Sequence, residues 1–195
     1  MFALLYRGMP PIAMPQSGLP VLTTERLTLR VHTTADFEES AAMWADEGVT
    51  RHIGGRPFTR EECWARLLRY AGLWGLLGYG YWVVRETAGG RFVGEVGFAN
   101  FHRELDPPFG DTPEAGWALA PDAHGRGYAT EALGAALAWA DARFDGGTVC
   151  LIDPSNAASL RVAAKAGYRE YARTSFKGAP TILFERRPAR NAETK

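Results

Sequence analysis

One segment limits this chain more than any other: Glu114 to Leu133, EAGWALAPDAHGRGYATEAL. A strand runs from Glu114 to Ala120 through Pro121 into a loop carrying Gly125 and Gly127, and a helix begins at once. Its apolar stripe is Leu133, Ala136, Leu137 and Ala140, with Glu131 in the first turn. Glycines in such a loop let the backbone approach a ligand, and the free N–H groups of a first helical turn form an anion site. The helix dipole adds only ~0.3 to 2 kcal/mol, so several direct N–H bonds must supply most of the affinity. The segment is therefore read as a diphosphate cradle. A P-loop, G-x-x-x-x-G-K-[ST], is absent, and the dinucleotide pattern G-x-G-x-x-G fails where Thr130 stands. Taken alone, Gly125 and Gly127 could also simply build a turn.

Around this segment the chain reads as an α/β (α+β) domain. Leu27, Leu29 and Val31 alternate on one face of a first strand. Thr34 is placed to cap a helix carrying Phe37, Ala41 and Trp44, and Thr59 to Glu62 spells a capping box for a second helix. Between them Asp46 to Phe58, with Gly48, Gly54, Gly55 and Pro57, forms a candidate binding loop. Tyr79 to Arg85 and Arg91 to Phe98 make a hairpin, whose Tyr79, Tyr81, Trp82, Phe92 and Phe98 are assigned to cross-strand packing. A strand at Thr148 to Ile152, a helix from Asn156 to a C′ glycine at Gly167, and strands near Tyr168 to Arg173 and Thr181 to Arg186 complete the count. One domain over 21–187 is expected, flanked by tails at 1–20 and 188–195.

Composition excludes several classes. The 195 residues carry 22 Lys plus Arg against 22 Asp plus Glu, with a pI near 6.9, which leaves no basic field for general nucleic-acid binding. Cys63 and Cys150 stand far apart and support neither a disulfide framework nor a zinc knuckle. The N-terminal apolar run is too short for a signal peptide, and no stretch approaches a membrane span. A cytoplasmic protein with no metal is the expectation.

At this point the chain resembles the GCN5-related N-acetyltransferase (GNAT) superfamily. The loop (Gln/Arg)-x-x-Gly-x-(Gly/Ala) of that family is matched by His124-Gly125-Arg126-Gly127-Tyr128-Ala129, and its N-x-x-S…G-(F/Y) segment by Asn156, Ser159, Gly167 and Tyr168. The opening Thr24-Glu25-Arg26-Leu27-Thr28-Leu29-Arg30 is similar to the branch containing ribosomal-protein alanine N-acetyltransferases. The resemblance implies a mixed, mostly antiparallel sheet of six to seven strands with about four helices, splayed between the fourth and fifth strands. It implies acetyl-CoA as acyl donor, its pantetheine arm meeting backbone groups of Trp117, Ala118 and Leu119. His124, Gly125, Arg126, Gly127, Tyr128 and Ala129 would hold the pyrophosphate, Asn156 the arm, and Ser159 would lie near the thioester sulfur. Two departures stand out: His124 replaces Gln or Arg, and Thr174 to Pro180 lacks the carboxylate that some relatives place there.

Direct transfer to a primary amine needs a neutral nucleophile, an oxyanion donor and a route out for the thiolate. A protein α-amine of pKa about 7.7 to 8.0 is ~10% neutral at pH 7, while a lysine near 10.4 is only ~0.04% neutral. A protein N-terminus or small amine therefore demands little from a base. Glu114 ranks first for that task and Glu95 second, as acidic residues on central strands; an ion pair is the alternative role for Glu114. Ser159 is the candidate donor to the leaving thiolate, with Tyr168 as fallback. Acceptor recognition is expected from Asp46 to Phe58 and from Asn100 to Asp111. A CoA-binding sensor or interaction module without catalysis is the competing reading, and either a monomer or a homodimer is compatible with the sequence.

Overall fold

The computed structural model describes residues 18–188, so 1–17 and 189–195 of the expected tails lie outside the described residues. Among the described residues eight strands form one sheet: β1 (Leu22–Thr23), β2 (Leu27–Val31), β3 (Tyr81–Glu86), β4 (Phe92–Ala99), β5 (Glu114–Leu119), β6 (Thr148–Ile152), β7 (Arg169–Phe176) and β8 (Ala179–Arg186). Five α-helices accompany them: α1 (Phe37–Trp44), α2 (Glu47–Thr50), α3 (Arg60–Leu77), α4 (Tyr128–Asp141) and α5 (Ala157–Lys165). The extra strand is the two-residue β1, too short for a periodicity argument, and the extra helix is the single turn of α2. Leu19 and Pro20, expected in a tail, belong to the body: Leu19 packs on the core and Trp82 Nε1 donates to the Pro20 carbonyl at 2.9 Å.

Strand order is β1-β2-β3-β4-β5-β6-β8-β7, antiparallel throughout except where β5 meets β6. That parallel pair shares a single register match, Glu114 with Val149, and one flanking bond, Val149 N–H to the Pro113 carbonyl. Beyond it the two strands diverge. The anticipated splay between the fourth and fifth long strands is thus β5/β6, and the departure lies in the count of strands and helices alone.

The local reasons for the helices are visible. Thr59 Oγ1 accepts the Glu62 N–H and Glu62 returns a bond to the Thr59 N–H, starting α3. The cap before α1 is Thr33 rather than Thr34, because Asp36 stands three residues on and accepts both the Thr33 N–H and hydroxyl, with a 3-10 turn at Thr34–Asp36 leading into the helix. On one face of the sheet the alanine-rich stripe of α4, including Ala132, Ala136 and Ala140, lets the helix lie close to Val96, Phe98 and Ala115. Trp82, Phe98 and Trp139 interlock there, Trp82 meeting both others edge-on, which is the packing role read for Trp82 and Phe98. Fully burying Leu27 and Leu29 contributes about 1.5 to 3 kcal/mol each. On the other face α1 and α3 cover Val83 and Ala118 through Ala41, Met43, Trp44 and Cys63.

Candidate active site

The cradle is made of backbone. Gly125 and Gly127 adopt left-handed conformations, φ +73° and +80°, and Gly127 is the N-cap of α4. Neither glycine faces a crowded neighbour, so the left-handed backbone, not space, selects glycine. The first bond of α4 runs from the Glu131 N–H to Gly127, and the N–H groups of Gly125 to Thr130 donate to no backbone carbonyl among the described residues. These six donors at a helix start fit a diphosphate. His124 turns away from this task, its Nε2 lying 2.9 Å from the Leu119 carbonyl and tying the loop to the end of β5.

Two guanidinium groups border the cradle. Arg126 and Arg26 lie 4.9 and 4.6 Å from the centre of the Tyr128 ring. Arg26 reaches this place because Glu131 grips its strand: Thr24 Oγ1 donates to Glu131 at 2.6 Å, and Arg26 donates to it through its backbone N–H and Nε. Arg26 also donates to the Arg126 carbonyl at 3.0 Å. The opening motif thus braces the first turn of α4, a role not legible from its sequence. Tyr128 itself is buried, with its hydroxyl on Glu86 at 2.5 Å.

Which backbone groups face the splay follows from register. Ala120 N–H bonds the Val93 carbonyl, and Ala118 stands opposite Glu95, two residues along both strands. Hydrogen-bonded pairs in an antiparallel ladder recur every second residue, so Ala118 spends its backbone groups on β4 while Trp117 turns its N–H and carbonyl toward β6. The expectation for Ala118 is corrected accordingly. Leu119 turns the same way as Trp117, but its carbonyl already takes His124. Across the gap Asn156 caps α5, its Oδ1 accepting the Ser159 N–H at 3.0 Å. Its amide N–H groups remain for a ligand. Ser159 lies half-buried in that first turn.

The nominated acids are both engaged. Glu114, 5% exposed, accepts Arg103 Nε at 2.5 Å and a second Arg103 nitrogen at 2.8 Å. Burial pushes its carboxyl up and Arg103 only partly offsets this. Arg103 in turn lies over the rings of Phe101 and Phe176. The pair borders a half-open surface cavity of about 230 Å³ lined in part by Asn100, His102, Phe109 and Asp111. Glu95 is 0% exposed and accepts Ser40 Oγ at 2.6 Å and Trp44 Nε1 at 3.0 Å. Burial raises its carboxyl, but His32, 3.4 Å away, and Ser40 outweigh that and hold it low. Tyr168 is a core residue, its hydroxyl paired with Thr148 at 2.6 Å.

Tyr81, read as packing alone, has a second aspect. Its ring stacks on Tyr70, yet its hydroxyl lies against β5 where a Cβ at Gly116 would overlap it. The contact joins β3 to β5 across the intervening β4, and no local sequence pattern signals it. In the Asp46 to Phe58 segment, Ile53 and Phe58 pack on the cluster that α1 and α3 form with the sheet, Phe58 stacking on Trp44. No helix among the described residues is long and apolar enough to cross a membrane.

A mostly antiparallel sheet opened at its parallel pair, with an anion cradle at the end of one opened strand, is the architecture of GNAT acetyltransferases. The chain belongs to that family: the family profile described as an acetyltransferase (GNAT) domain matches residues 26–169. A GnaT-family protein from Bordetella pertussis is 37% identical, with a TM-score of 0.76 over 86% of this chain and 99% of its own. The uncharacterized protein YkkB of Bacillus subtilis is 35% identical over 114 residues, which is 56% of this chain and 63% of YkkB, so the match spans under two thirds of that relative. RimL, a ribosomal L7/L12 alpha-N-protein acetyltransferase solved with coenzyme A, shares the fold at 15% identity and a TM-score of 0.70, over 86% of this chain and 98% of its own.

Proposed function

We propose that the protein is an acetyl-CoA-dependent N-acetyltransferase that moves the acetyl group directly to a primary amine, either a protein N-terminus or a small amine. The observation that carries this is the alignment of three elements on one opening: the N–H groups of Gly125 to Thr130, the outward backbone of Trp117, and the Asn156–Ser159 helix start on the far side. Their order matches the donor's diphosphate, arm and thioester. In this reading Gly125, Arg126, Gly127, Tyr128 and Ala129 bind the diphosphate through backbone donors, and His124 fixes the loop. Trp117 and Leu119 orient the arm, Asn156 donates to it, and Ser159 offers a hydroxyl to the departing sulfur. Acetyl-CoA supplies an activated thioester; these residues position it and exclude water from one side.

Glu114 and Glu95 are held by Arg103 and by Ser40 and Trp44, which supports ion-pair and core roles over proton abstraction. That same observation favours the competing reading of a CoA-binding sensor that has lost catalysis. Release of free CoA from acetyl-CoA, measured against N-terminal peptides, polyamines, aminoglycosides and amino acids, decides between them. Release with one acceptor class is the expected result; tight CoA binding without release from any amine would make the protein a sensor.

A further inference from the structure

The loop after α2 makes contacts in two directions. Ile53 packs with the cluster containing Ala118, while its neighbour His52 reaches the segment that follows Ile152 at the end of β6. The loop therefore reaches the turn between β6 and the Asn156–Ser159 helix start. His52 Nδ1 lies 3.3 Å from Asp153 Oδ2 and 3.3 Å from Ser155 Oγ. Ser155 gives its own hydroxyl hydrogen to Asp153 Oδ1 at 2.6 Å, so both neighbours of Nδ1 can only accept. Nδ1 must carry the proton, which leaves a lone pair on Nε2. No described residue hydrogen-bonds Nε2, and the side chain keeps 19% of its surface open. The Ser155 hydroxyl and N–H, together with His52, hold the Asp153 carboxyl below the ordinary range, so it stays ionised at neutral pH. It is the one carboxylate within salt-bridge distance of His52 among the described residues.

We propose that His52, held by Asp153 at the β6 side of the opening, receives the proton that the acceptor ammonium must lose. This rests on the acetyltransferase reading above and narrows it to a substrate class. The ammonium gives one proton to Nε2, and the freed nitrogen lone pair forms the new bond to the thioester carbonyl carbon. The carbon–sulfur bond then breaks with its electron pair on sulfur. The second proton lost by the nitrogen passes to that sulfur by way of the Ser159 hydroxyl, giving CoA thiol and amide, and the imidazolium returns its proton to solvent. An α-amine at about 7.7 to 8.0 gives up a proton to a neutral imidazole far more readily than a lysine at about 10.4. A site with this acceptor of protons suits α-amines.

The test is kcat/KM from pH 6 to 9.5, followed by CoA release, for wild type, His52→Gln and Asp153→Asn. One acceptor is a peptide with a free α-amine and no lysine; the other carries a blocked N-terminus and one lysine. Wild type should prefer the α-amine. His52→Gln should lower kcat/KM by about 10- to 100-fold at pH 7 and by less than about threefold at pH 9.5, where the amine is neutral without help, at unchanged acetyl-CoA affinity. Asp153→Asn should give a smaller loss of the same pH shape. Superimposable wild-type and His52→Gln profiles would overturn the proposal while leaving the acetyltransferase reading intact, as would a loss constant with pH and matched by weaker acetyl-CoA binding, which would make His52 a latch. A wild type that releases CoA to neither peptide nor any other amine overturns both.

Discussion

In the proposed reading, the groups assigned to the acyl donor and those nominated for the acceptor side are built from different materials. The donor half is backbone: left-handed glycines, an uncapped helix start and an outward strand edge. The nominated acids and base are side chains held in pairs: Arg103 on Glu114, Ser40 and Trp44 on Glu95, and His52 on Asp153. Backbone sites tolerate most neighbours but fail at single glycines, whereas side-chain sites fail when one partner of a buried pair is removed.

The sharpest break of this contrast is Gly127→Asp. It sets a carboxylate against the diphosphate and places a side chain at φ +80°, while a Cβ there meets nothing nearer than Arg26 at 3.6 Å. CoA affinity should fall by more than about 100-fold, through repulsion and lost donors, in a protein that still melts cooperatively. Calorimetric titration with CoA reads it, and near-normal affinity would put the diphosphate elsewhere.

On the acceptor side, Glu114→Gln leaves Arg103 without its counter-charge. Stability should drop by about 3 kcal/mol, the low end for a broken buried pair because Arg103 keeps some solvent. Denaturant unfolding measures this, and kcat/KM should change by only a few fold at every pH. A loss of about 10² to 10³ at pH 7 that shrinks as pH rises would instead make Glu114 the proton acceptor.

The smallest of these effects belongs to the brace between the halves. Arg26→Ala removes a guanidinium from the cradle rim and one partner of Glu131, and should weaken CoA binding about tenfold, or ~1.4 kcal/mol. A lower salt dependence of CoA affinity should accompany it. If affinity is unchanged, Arg26 serves the fold alone.

The same contrast explains how much the sequence disclosed. Gly125, Gly127, Pro121 and the alanine stripe of α4 each mark a backbone conformation, so strand, loop, helix and cradle were readable in order. The splay was reached only through family resemblance, because the divergence of β5 from β6 depends on a single register match. Ala118 was misassigned because ladder phase, which decides whether a residue faces β4 or β6, leaves no residue-type signature. The partners of Glu114, Glu95 and His52 lie 11, 55 or 51, and 101 residues away, and no local pattern encodes such pairings. Tyr81 was hidden for the same reason, its hydroxyl meeting Gly116 across the intervening β4.

The central claim is that the opening between β5 and β6, with its cradle, is a binding site for acetyl-CoA in the folded protein. A ligand that binds only the native state stabilises it by ~2.7 kcal/mol at 100 times its dissociation constant. Thermal unfolding of the wild-type chain with and without saturating acetyl-CoA measures this directly. The account predicts a rise in Tm of several degrees that Gly127→Asp abolishes; an unchanged Tm in a protein that is folded throughout would contradict it.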